Sequence, residues 1–245
     1  ADTRLVPQMA ALDAQLMVGL PPAITAATGM DALTHAVEAY IGDWSTDFSD
    51  RMALAAVAMI FANLPRVIRD GADLAARENM ALASTYAGLA FTRANVGNVH
   101  AIAHQLGAKY HTPHGLANAI LLPHVLRFSA PAVTGKLATL ALRAGVGAPG
   151  AAREELARGF VDAVESLARQ VGIPPTLESL RAADIRSLAR AACFEADTNY
   201  PVPRVMLQAD CEALLRRVLP SSAEPAPKPP RRARRTAATA PAAPA

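Results

Sequence analysis

Along most of the 245-residue chain, apolar positions recur every three to four residues, the period of helices that bury one face. The exception is residues 4–20, which read as a short extended apolar piece followed by a turn. Pro21 and Pro22 interrupt that piece, so a helix is expected to begin at Pro22 or Ala23, with a further apolar stretch from Gly29 to Ile41. Asp47 and Asp50 resemble a capping pair, with Asp where Glu is usual, opening a strongly apolar helix from Arg51 to about Ile68. After a turn at Gly71 and Asp73 comes a long helix to about Asn95. Gly97 then precedes a helical segment that ends near Tyr110. Residues 111–115 form a turn, and the helix after it is expected to kink at Pro123. From Ala130 to Leu219 the pattern predicts several shorter helices between Gly- and Pro-containing loops. The body is therefore mainly α, a multi-helical, bundle-like fold without internal repeats. Its lone N-terminal strand has no partner strand in view.

Composition agrees with helices. The chain is 52% hydrophobic but 4% aromatic, so alanine and aliphatic residues carry the core, as close-packed helices favour. No run is expected to reach the length of a membrane span, and the N-terminus lacks the basic-then-apolar pattern of a secretory signal. Cys193 and Cys211 are too few for a disulfide framework, and a cytoplasmic setting is expected. The overall charge of +3 is misleading for partner choice. Lys228, Arg231, Arg232, Arg234 and Arg235, opposed only by Glu224, give residues 221–245 a net +4 and leave the rest at −1. The basicity thus sits in a Pro/Ala-rich tail that cannot build a core, expected to be disordered. No specific nucleic acid and no membrane are expected as partners.

The histidines change the picture most. Five of the six, His100, His104, His111, His114 and His124, fall within 25 residues; the sixth is His35. Metal sites need neutral imidazoles and carboxylates converging on one point. Asp31 and His35 are spaced i,i+4 on one helix face, as are His100 and His104, and His114 follows the turn closely enough to fold back. Spacing leaves open which of the second pair are ligands. Other chemistries lack their signatures: there is no HExxH, no GxSxG, and His35 with Glu38 runs opposite to a di-iron ExxH. Gly145-x-Gly147-x-x-Gly150 follows a helical stretch rather than a strand and contains Pro149, so it reads as an interhelical loop.

Four blocks carry a resemblance: LPPAITAATGMDALTHAVEAYI, SDRMALAA, ARENMALASTYAGLAF and, most particular, GNVHAIAHQLGAKYHTPHGLANAILLPHV. Over roughly residues 5–219 the chain resembles the iron-containing (group III) alcohol dehydrogenases. That likeness implies a dehydroquinate synthase-like C-terminal helical domain and metal ligands at Asp31, His35, His100 and His114. It places His104 beside substrate and nicotinamide rather than on the metal, both catalytic and cofactor-contacting. It implies Fe²⁺, although the donor set suits Zn²⁺ equally, and hydride transfer between an alcohol or aldehyde and NAD(P) in the complete enzyme. His111 is left as a turn residue near the site and His124 as a structural one.

The family places an α/β dinucleotide-binding domain before these helices. Residues 1–20 are accordingly expected to be a remnant of its last strand and linker, residues 21–219 the metal-binding substrate domain, and residues 220–245 the tail. The chain then reads as a truncated form. A non-catalytic, metal-binding helical module that associates with partners, copies of itself among them, remains an alternative. So does a zinc-dependent enzyme of the glycerol dehydrogenase type.

Overall fold

A computed structural model describes residues 9–220. The basic tail and the first part of the expected N-terminal strand lie outside the described residues. Among those described, the order is α1 Pro22–Ile41, α2 Asp47–Arg69, α3 Leu74–Ala94, α4 Asn98–Tyr110, α5 His114–Arg143, α6 Arg153–Gln170, α7 Ile185–Asn199 and α8 Gln208–Arg217. The fold is helical, and no strand occurs among these residues. Residues 9–13 are irregular, and Ala14–Met17 form one 3-10 turn capped by Asp13, whose carboxylate accepts the Gln15 N–H at 2.9 Å. Residues 9–13 are exposed, so water serves their backbone groups without a partner strand.

α1 is the central helix. Pro22 stands at its first turn, where a missing N–H costs nothing, and the helix packs against α2, α3 and α5. Met30, Leu33 and Val37 are fully buried, each contributing about 1.5–3 kcal/mol. That margin lets the same helix carry a polar stripe, Asp31, His35 and Glu38, at i, i+4 and i+7.

α2 starts four residues earlier than the sequence pattern suggests. Its cap is Thr46, not Asp47: the Thr46 hydroxyl accepts the Ser49 N–H at 3.2 Å, and Ser49 Oγ accepts the Thr46 N–H at 2.8 Å. Asp47 and Asp50 fall in the first turn, where acidic groups favour the helix dipole. The expected kink at Pro123 is also displaced. α5 stays helical through Pro123 and breaks at Val133 (φ −131°, ψ 26°), two residues after Pro131. Carbonyls near the break are taken by side chains: Thr134 donates to Ala130 O at 2.9 Å and Arg204 to Phe128 O at 2.5 Å.

Contrary to the sequence expectation, α2 and α5 are long and apolar enough to cross a membrane. In this fold both are packing elements. α2 buries Ala53, Ala56, Val57, Ile60 and Leu64 and packs on α1 and α3, while α5 packs on α1 and α6. The Gly145–Gly150 segment is an interhelical loop between α5 and α6, and its three glycines have φ of 73°, 76° and 93°. α4 packs on α5 and α7, and α7 on α8, which brings residues from distant parts of the chain to the N-terminal half of α4.

Candidate metal centre

Three helices converge at the centre. α1 supplies Asp31 and His35, the first turn of α4 supplies His100, and α5 begins at His114. Glycine makes the approach possible: a Cβ on Gly115 would lie 2.6 Å from the Ala27 carbonyl oxygen, so only glycine lets α5 run this close to α1. One ligand atom from each of Asp31, His35, His100 and His114 lies within 4.8 Å of all the others. His100 Nε2 is 3.0 Å from His35 Nε2, and Asp31 Oδ1 is 3.9 Å from His100 Nε2 and 3.6 Å from His114 Nε2. His100 is buried, Asp31 and His35 are half-buried, and His114 is exposed, so the cluster opens on the His114 side.

The electrostatics suit a cation. Burial pulls His35 down to about 4 against the attraction of Asp31, with His100 adding to the fall. Burial lowers His114 as well. These imidazoles are therefore neutral near pH 7, with lone pairs to give. The rings are held from behind. Phe91 of α3 stacks on His35 with centroids 4.4 Å apart. Glu38, 4% exposed, accepts His100 Nδ1–H at 2.6 Å, which leaves Nε2 bare toward the cluster. The same carboxylate accepts the N–H groups of Gly97 at 2.9 Å and Val99 at 2.6 Å, capping α4 from another helix.

Asn118, fully buried one turn into α5, puts its amide nitrogen 2.6 Å from Asp31 Oδ1 and 3.1 Å from both His100 Nε2 and His114 Nε2. Its own Oδ1 is buried with no partner. One NH₂ group with two hydrogens thus faces a carboxylate oxygen and two ring nitrogens. The Asp31 carboxylate and the bare His100 Nε2 turn lone pairs inward, the donor chemistry a divalent ion takes.

A profile of the Fe-containing alcohol dehydrogenase family, C-terminal part, matches residues 25–219. The chain belongs to the iron-containing alcohol dehydrogenase family. It is 42% identical over 216 residues to a 1,3-propanediol dehydrogenase of Klebsiella pneumoniae, covering 87% of this chain and 56% of that protein. It is 45% identical over 200 residues to a lactaldehyde reductase of Escherichia coli K12, covering 81% and 52%. Among solved structures, a 1,3-propanediol oxidoreductase superposes with a TM-score of 0.81 at 42% identity, over 84% of this chain and 55% of that one. The chain thus spans about half the length of the relatives it matches.

Within this family member, the four residues singled out as ligands are the four that the fold brings together. His104 stands outside the quartet: its ring stacks on His114 at 5.4 Å, and its Nδ1 lies 2.6 Å from Glu195 Oε1. His111 closes α4 in the left-handed conformation (φ 56°) and is exposed. His124 sits farther along α5, with a buried Nδ1 that lacks a partner. Burial pushes the thiols of Cys193 and Cys211 up, so neither is poised as a nucleophile. Glu38, Asn118 and Glu195 have no assigned role in the sequence pattern. For the first two a signal was present: Glu38 is seven residues after Asp31, and Asn118 four after His114.

Proposed function

We propose that the chain is the metal- and substrate-binding part of an alcohol or aldehyde oxidoreductase that transfers hydride between an alcohol and NAD(P). The observation that carries this reading is the convergence of Asp31, His35, His100 and His114 from three helices, beside a fifth histidine not among them. These four would hold one divalent ion, Fe²⁺ as in the family's name, with Zn²⁺ fitting the same donors. Bound there, the ion would supply Lewis acidity to the substrate oxygen, and the dinucleotide would accept or give the hydride.

The chain's own residues do the rest. Glu38 keeps His100 in one tautomer, Phe91 fixes the plane of His35, and Asn118 donates to Asp31 from the buried side. His104, on the open side, exchanges the hydroxyl proton with the substrate. The relatives, named for 1,3-propanediol and lactaldehyde, support small alcohols and aldehydes as the substrate class.

Substrate access can be read without turnover. Loading the chain with Co²⁺ in place of Fe²⁺ is expected to give a visible absorption spectrum that shifts on adding a short primary alcohol or its aldehyde. A Co²⁺ spectrum indifferent to millimolar alcohol and aldehyde alike would contradict a substrate-binding role for this centre.

A further inference from the structure

Around His104 lies a second polar network whose hydrogen bonds join His104, Gln105, Glu195 and Tyr200 rather than the four proposed ligands. Glu195, on α7, receives hydrogens from three sides. The His104 Nδ1 contact is 2.6 Å, the Tyr200 hydroxyl donates to the same Oε1 at 2.6 Å, and the Gln105 amide donates to Oε2 at 2.6 Å. Both oxygens are engaged, so the carboxylate has a single orientation. Tyr200 serves only as a donor here: burial, reinforced by Glu195 itself, holds its phenol well above the usual range.

The contact fixes the proton on His104. Were Nδ1 bare, its lone pair would face a carboxylate oxygen at 2.6 Å, two acceptors in mutual repulsion. Because Glu195 already takes hydrogens from Gln105 and Tyr200, it acts as the acceptor and Nδ1 as the donor. Nε2 is then the nitrogen with a free lone pair, on a ring that is 40% exposed and stacked over His114 at the edge of the centre.

We infer that Glu195 is the positioning residue for His104, fixing its Nδ1–H tautomer and aiming Nε2 at the proton to be moved. This rests on the proposed role of His104. In alcohol oxidation the hydroxyl proton passes to Nε2 while Nδ1 keeps its own, and the hydride leaves carbon for the nicotinamide. The Glu195 carboxylate then faces an imidazolium through a charge-assisted hydrogen bond. In aldehyde reduction the same proton returns from Nε2 to oxygen. The arrangement repeats, one turn further along α4, what Glu38 does for His100: a carboxylate takes Nδ1–H and frees Nε2. One histidine faces the metal cluster and the other its open edge.

The test reads the tautomer directly, in metal-free chain, by long-range ¹H–¹⁵N correlation of ¹⁵N-histidine-labelled protein at about pH 8, above the ordinary histidine range. His104→Gln identifies the signals. The expected result is Nδ1 protonated and Nε2 bare in the unmodified chain, the same in Glu195→Gln, which keeps an acceptor oxygen, and the Nε2–H form in Glu195→Leu. Retention of Nδ1–H in a folded Glu195→Leu chain would overturn the inference. So would an Nε2–H His104 in the unmodified chain, which decides the matter even if the leucine variant does not fold. Loss of metal binding in folded Glu195→Leu would also count against it, assigning Glu195 to the ligand cluster. Failure of the Co²⁺ experiment would leave the tautomer readout standing, so the two readings fall separately.

Discussion

Replacing Glu38 with alanine is expected to destabilise the metal-free chain by about 3–5 kcal/mol, the range for removing one partner from a buried charge-assisted network. Three donors lose their acceptor at once: the Gly97 and Val99 N–H groups and His100 Nδ1. None can turn to water, because Gly97, Val99 and His100 are all buried. In a variant that still folds, metal affinity is expected to fall about 10- to 100-fold, since His100 loses the bond that fixes its tautomer. Urea unfolding with and without chelator separates the two effects. Exposed His111→Ala provides the control, with no expected change in affinity. A Glu38→Ala chain with unchanged stability and affinity would mean that the carboxylate neither caps α4 nor supports the centre.

The second large effect is on acid stability. His35 binds a proton near 6.5 when unfolded but only near 4 when folded and metal-free, because burial penalises its charged form. Between those values the unfolded chain holds more protons, so stability rises with pH there. The contribution is fully present above about pH 6.5 and lost as pH falls toward 4, on the order of 3 kcal/mol in all. Denaturant titrations across that window check it. His35→Leu is expected to flatten this part of the slope, and an unchanged slope would refute the account. Metal binding should weaken over the same range, because a proton on His35 and a metal ion compete for one lone pair.

Helix positions were legible where periodicity and punctuation coincide. Pro22 at the start of α1, Asp73 before α3 and Gly97 before α4 all mark real boundaries. The errors have local causes. Thr46 with Ser49 makes a hydroxyl-to-hydroxyl box that lacks the usual Glu, so the acidic pair beside it drew attention. Two prolines lie within α5, and nothing local distinguishes the one the helix absorbs from the one before the break at Val133. Alanine-rich core helices also resemble membrane spans by composition, because helix-to-helix packing needs small apolar residues whatever surrounds the bundle.

For the centre, the Asp31–His35 spacing could be read without help, whereas His100, His104 and His114 could not be sorted by spacing. Their separation into a ligand pair and an outlier depends on where α4 enters relative to α1 and α5, a tertiary property that only the family likeness supplied. Glu38 was visible only as the residue that, three after His35, runs in the wrong order for a di-iron motif. Glu195, 91 residues beyond His104, had no local signal at all.

Four side chains from three helices are proposed to form one metal site. Its most direct test is elemental analysis of the purified chain, loaded anaerobically with Fe²⁺ or with Zn²⁺ and then dialysed. One equivalent of metal per chain is expected, lost in His100→Ala and kept in His124→Ala. A chain that retains no metal, or a His100→Ala variant that retains as much as the unmodified protein, would contradict it.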